Sequence, residues 1–112
     1  VLFFMASWCA PCLFEAEMLA LLNERFRGRG LDIIAVDVDP TTRRADLEAF
    51  RAGIRGGDYH WALDAGGRLA KAFDVRVLDT TVVIDRDRRI VYRDERLTRY
   101  DELHAVVAPL LQ

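Results

Sequence analysis

The sequence predicts an α/β domain built on a mixed β-sheet with helices on both faces. Three observations predict it. Two apolar runs, at residues 1–6 and 31–38, flank a helical repeat at 11–27 and make a strand–helix–strand unit. Two short strands at 80–85 and 90–93 are joined by a charged turn, the pattern of an antiparallel hairpin. An amphipathic stretch at 100–111 closes the chain.

Each element follows from its residues. Val1-Leu2-Phe3-Phe4-Met5-Ala6 is apolar without alternation, which suits a strand buried on both faces. From Pro11 onward Leu13, Phe14, Met18, Leu21, Leu22 and Phe26 recur at helical spacing, and Gly28 and Gly30 end the helix. Pro11 sits in the first turn, where its missing N–H costs nothing. Leu31-Asp32-Ile33-Ile34-Ala35-Val36-Asp37-Val38 is the second strand, parallel to the first through a right-handed crossover. Asp39-Pro40-Thr41-Thr42 turns into a helix at 42–52, and Gly53, Gly56 and Gly57 mark a loop. Residues 59–63 form a short extended segment and 66–73 a short helix. Leu103, Val106, Val107, Leu110 and Leu111 form the inner face of the last helix, and Pro109 predicts a break in its final turns.

The length, 112 residues, corresponds to one domain spanning 1–112. A net charge of −2, with Lys71 the only lysine and the arginines scattered, supplies no field for nucleic acid or an anionic membrane surface. No apolar run approaches the roughly 20 residues that span a bilayer. The chain opens inside a strand without Met, so an upstream segment carrying an export signal or membrane anchor is expected.

The two cysteines, Cys9 and Cys12, lie between the first strand and the first helix. Thiols this close cannot staple distant parts of a fold, so they point to local redox chemistry or half of a metal site. At a helix start the first sulfur faces free N–H groups and the positive end of the dipole, which favours a thiolate. Cys9 is therefore expected to be exposed and to attack. Cys12, one turn in, is expected to be buried and to resolve the mixed disulfide. Pro11 restricts the loop, and Trp8 offers a flat apolar surface beside Cys9. A zinc site needs further ligands, and neither His60 nor His104 has a partner at ligand spacing.

The segment Phe4-Met5-Ala6-Ser7-Trp8-Cys9-Ala10-Pro11-Cys12 resembles the active site of thioredoxins. Glu15, three residues after Cys12, is similar to the Cys-x-x-Cys-x-x-Glu pattern of the TlpA/ResA-like branch. The stretches 29–39, 69–76 and 80–87 resemble that branch in order and spacing. The resemblance implies a thioredoxin fold and a thiol–disulfide oxidoreductase that needs no cofactor beyond its own Cys9–Cys12 disulfide. It also implies that Glu15, near the cysteines, takes part in proton transfer, with a raised pKa if partly buried. Protein disulfides are the implied substrates and a membrane carrier of the DsbD/CcdA type the implied electron donor. The implied setting is the bacterial cell envelope, with cytochrome c or copper-site maturation as the task. A monomer is expected.

Departures from the pattern carry their own expectations. Asp79 stands where the family has a cis-proline, directly before Thr80-Thr81, at a position that faces the cysteines and pairs with substrate. A cis bond before a residue other than proline costs about 2.5–4 kcal/mol, so a trans Leu78–Asp79 bond is expected. The Asp79 carboxylate either opposes the Cys9 thiolate by repulsion or turns to solvent. In the first case Asp79→Pro raises the exchange rate. Glu17 replaces a family proline in the first helix, and Arg88 a family glycine in the hairpin turn, so no positive φ is expected at Arg88. The alternative from a different class is metal handling, with copper or an iron–sulfur site at Cys9, Cys12 and Asp79. A peroxidase is disfavoured because Cys9 lacks that loop setting.

Overall fold

The computed structural model describes residues 1–112. Five strands, β1 (Leu2–Met5), β2 (Ile34–Asp37), β3 (His60–Leu63), β4 (Thr80–Ile84) and β5 (Ile90–Asp94), form one sheet in the order β3-β2-β1-β4-β5. β1 and β2 pair in parallel, as do β2 and β3, while β4 is antiparallel to both β1 and β5. The mixed sheet expected from the sequence is therefore present, with β1 at its centre.

β1 carries residues of both faces by simple alternation. Phe3 and Met5 enter the larger core cluster with Ala16, Leu19 and Leu22 of α1 (Ala10–Arg25) and Leu103 and Val107 of α4 (Tyr100–Val107). Phe4 points the other way, joining Val36 and Val82 and meeting Phe73, just after α3 (Arg68–Ala72), in a tilted ring contact at 5.7 Å. Leu47 of α2 (Arg44–Ala52) reaches the larger cluster near the β3 edge, where Phe50 meets Trp61 at 5.8 Å. The α-helix at the C-terminus stops at Val107 and continues as a 3-10 turn over Ala108–Leu111, the break predicted by Pro109. No helix is long and apolar enough to cross a membrane.

Three expectations are corrected. The Leu78–Asp79 bond is cis. Local preference gives way there to tertiary packing: Leu78 packs against the larger core cluster, Asp79 is buried, and the Thr80 hydroxyl ties the loop by donating to the Val77 carbonyl at 2.5 Å. Arg88 does adopt a positive φ, 66°. The Asp85 carboxylate accepts from the N–H groups of Asp87 and Arg89, and the Arg88 N–H donates to the Asp85 carbonyl, which curls the turn into that conformation. Arg88→Gly is therefore expected to raise stability by about 0.5–1 kcal/mol, read by urea denaturation. Finally, α1 buries Cys12, Glu15, Ala16, Leu19, Ala20 and Leu22, while Leu13, Phe14 and Leu21 of the expected face are exposed.

Candidate active site

Register places the site. β1 runs antiparallel to β4 with Phe4 opposite Thr80, so the end of β1 lies beside the loop that holds Asp79. The chain leaving β1 turns at once into α1, whose N-cap is Cys9. Cys9 and Cys12 are joined in a disulfide, with Cα atoms 5.2 Å apart. The Cys12 N–H donates to Cys9 Sγ at 3.3 Å, as a capping oxygen would be used. Reduced Cys9 would thus hold its charge on a free N–H at the positive end of a 16-residue helix. Cys9 retains 7% exposure and Cys12 none, so the pair is more enclosed than expected but keeps the expected order.

Around the pair, Trp8 is 68% exposed and its indole N–H donates to Asp39 Oδ2 at 2.6 Å. Asp39 is itself held by the N–H and hydroxyl of Thr41 through Oδ1. The flat surface beside Cys9 is therefore anchored to the loop after β2, a tie that no local signal revealed. Pro11 lies in the first turn of α1, exposed at the surface. Thr80 is fully buried, a brace for the 77–80 loop through its hydroxyl and not a surface contact for substrate.

Beneath the disulfide lies an acid centre. Glu15 follows Cys12 by three positions, on the same helix face, and is fully buried. Its Oε1 accepts from the Thr98 N–H at 2.8 Å, and its Oε2 accepts from the Thr81 hydroxyl. Asp79 is 1% exposed and has no N–H or hydroxyl donor for either oxygen. Asp79 thus does not turn to solvent, one of its two expected placements. A donor exists only if a neighbouring carboxyl keeps its proton, and the shift of Glu15 makes it that candidate. Burial, reinforced by a hydrogen bond to Asp79 and by the Asp79 charge, pushes Glu15 up to about 9, against the pull of Thr81 and Thr98. Burial also raises Asp79, opposed by its bond to Glu15 and assisted by the charge of Asp94. Both carboxyls are thus pushed towards their protonated forms, Glu15 the more strongly placed to be the donor of the pair.

Both histidines lie elsewhere. His60 is exposed on the edge strand, and His104 packs on Phe26, at the opposite end of α1 from Cys9. No group of three or more His, Cys, Asp or Glu side chains is placed to hold a metal ion. Thr81, Thr98, Asp94 and Asp39 are the site residues that sequence reasoning missed. Thr98 is 83 residues from Glu15, and nothing in its neighbourhood marks it.

The Redoxin family model matches residues 1–102. The chain belongs to that family. A thiol-disulfide oxidoreductase ResA from Bacillus thuringiensis is 32% identical over 90 residues, covering 79% of this chain and 49% of the relative. The chain thus spans about half the length of the curated relatives it matches. Two solved structures share the fold. One is a thiol:disulfide interchange protein of the thioredoxin family from Chlorobium tepidum, with a TM-score of 0.86, 19% identity, and coverage of 99% of this chain and 78% of that one. The other is a secreted Mycobacterium tuberculosis disulfide oxidoreductase homologous to E. coli DsbE, with a TM-score of 0.83, 20% identity, and coverage of 97% and 79%. The fold is the thioredoxin fold, and the resemblance to the TlpA/ResA-like branch holds.

Proposed function

We propose that this Redoxin-family chain exchanges electrons between its Cys9–Cys12 dithiol and protein disulfides, as a reductase in the bacterial cell envelope. The observation that carries this reading is the Cys9–Cys12 disulfide at the N-terminus of α1, with the less buried sulfur outermost. Reduced Cys9 attacks a substrate disulfide, and the mixed disulfide is released when Cys12 attacks Cys9. Glu15 serves as the buried acid and base for Cys12: once ionised, it accepts the Cys12 proton as the thiol becomes a nucleophile, and it returns that proton when the disulfide is reduced. Trp8, with Pro11, forms the surface on which substrate rests.

The finer reading rests on the resemblance to the TlpA/ResA-like branch: electrons supplied by a membrane carrier of the DsbD/CcdA type, and cytochrome c or copper-site maturation as the task. The domain works as a monomer outside the cytoplasm and needs no cofactor beyond its disulfide. The reduction potential against glutathione tests the direction. A value near about −270 mV is expected, and one near about −120 mV would make the protein an oxidant instead.

Asp79 bears on rate. Its carboxylate, beside the end of β1, opposes a thiolate at Cys9. Asp79→Pro is expected to speed reaction with a small disulfide by roughly threefold to tenfold, through a larger thiolate fraction. Equal or slower exchange would remove Asp79 from the control of Cys9.

A further inference from the structure

A fully buried carboxyl that gains and loses protons needs a route to water. The structure offers one. Thr81 Oγ1 donates to Glu15 Oε2, Thr98 Oγ1 donates to Asp94 Oδ2 at 2.5 Å, and the two threonine hydroxyl oxygens lie 3.4 Å apart. Tyr92 hydroxyl donates to the same Asp94 oxygen at 2.5 Å, and both Tyr92 and Asp94 are partly exposed on β5. The links join α1, β4 and the segment 92–98 into one line from the core towards the surface.

We propose that Glu15 exchanges its proton with solvent through the hydroxyls of Thr81 and Thr98 and the carboxylate of Asp94. The proposal rests on Glu15 being the buried acid of the site. On the outward path, Glu15 gives its proton to Thr81 Oγ1, which passes its own to Thr98 Oγ1. Thr98 passes its own to Asp94 Oδ2, which releases one to water. Each hydroxyl gains one proton and loses one, and the net change is a carboxyl ionised and a proton delivered. The inward path reverses every step, and hydroxyls can rotate to serve both directions.

The other groups facing Glu15 offer no alternative route. Asp79, from the loop before β4, has both oxygens buried with no hydroxyl or N–H beside them. Tyr59, ahead of β3, commits its hydroxyl to the Ala16 carbonyl at 2.8 Å. Cys12, on α1, is fully buried in the disulfide. Thr98 is thus the link on which the line depends, and Thr81, Thr98 and Asp94 act through Glu15 and not on substrate.

The test follows the Glu15 proton directly. In the oxidised protein, infrared spectroscopy at neutral pH should show a protonated carboxyl band, assigned by its loss in Glu15→Gln. A rapid jump to one pH unit above the Glu15 pKa then gives its rate of ionisation. Thr98→Val preserves shape and the backbone N–H on Glu15 Oε1 but removes the hydroxyl. It is expected to ionise about tenfold more slowly, the kinetic equivalent of losing one buried hydrogen bond, while Thr98→Ser restores the rate. Asp94→Asn, which cannot release a proton, should slow it similarly and covers the case in which Thr98→Val does not fold. Ionisation at the wild-type rate in the variants, or no protonated carboxyl at neutral pH, overturns the proposal. Disulfide exchange by Glu15→Gln is measured separately, so a fast variant with a dry path and a slow variant with an intact one are told apart.

Discussion

Cys9→Ser is expected to lower disulfide exchange by at least about a thousandfold, because it removes the sulfur that meets the substrate. Cys12→Ser is expected to fail differently. Cys9 keeps its place at the N-cap of α1, so it still attacks. It loses no donor either, since the group on its sulfur is the Cys12 backbone N–H. The first bond therefore forms and the second step has no nucleophile, so the protein accumulates as a mixed disulfide. Non-reducing electrophoresis after incubation with a disulfide-bonded protein should show an adduct with Cys12→Ser and none with Cys9→Ser. An adduct with Cys9→Ser alone would reverse the assignment of attacker and resolver.

Glu15→Gln should produce the second largest effect, and two of its consequences run in opposite directions. Exchange should fall by about a hundredfold, the lower range for loss of a general acid or base, and its dependence on pH near 9 should flatten. Stability should rise. Glu15 ordinarily titrates near 4.5 and is raised to about 9 in the folded protein. Below the lower value both folded and unfolded chains hold the proton. As the pH climbs between the two values, unfolded chains release a proton that folded chains keep, so stability falls by up to about 1.4 kcal/mol per pH unit. Above the upper value both are ionised and the loss levels off. Glutamine removes that loss while its amide can still donate to Asp79 and accept from the Thr98 N–H. Denaturation at pH 7 should show Glu15→Gln more stable by on the order of 1–3 kcal/mol, with the gap closing towards pH 4. Equal stability at both pH values would place an ionised Glu15 in the folded protein.

The strands were legible because a strand buried on two faces must be apolar throughout, and residues 1–6 are. The hairpin and the Pro109 break followed from equally local causes. The face of α1 was not legible. Leu13, Phe14 and Leu21 are as apolar as Leu19 and Leu22, and a helix apolar on most sides carries no stripe to read. The residue that marks the buried face is charged in sequence: Glu15 goes inward because Thr81 and the Thr98 N–H meet it there.

By itself the sequence determined the redox pair, since two thiols three apart at a helix start need only local geometry to react. It also determined the layered fold, which follows from periodicity. The setting of the pair was decided by the tertiary structure alone. A carboxylate at position 79 is costly in the core unless another carboxyl lends it a proton, and only the packing of α1 against β4 brings Glu15 to supply one. Burial raises the pKa of both groups, and burial is a property of the assembled sheet and helices, which no local stretch of chain contains.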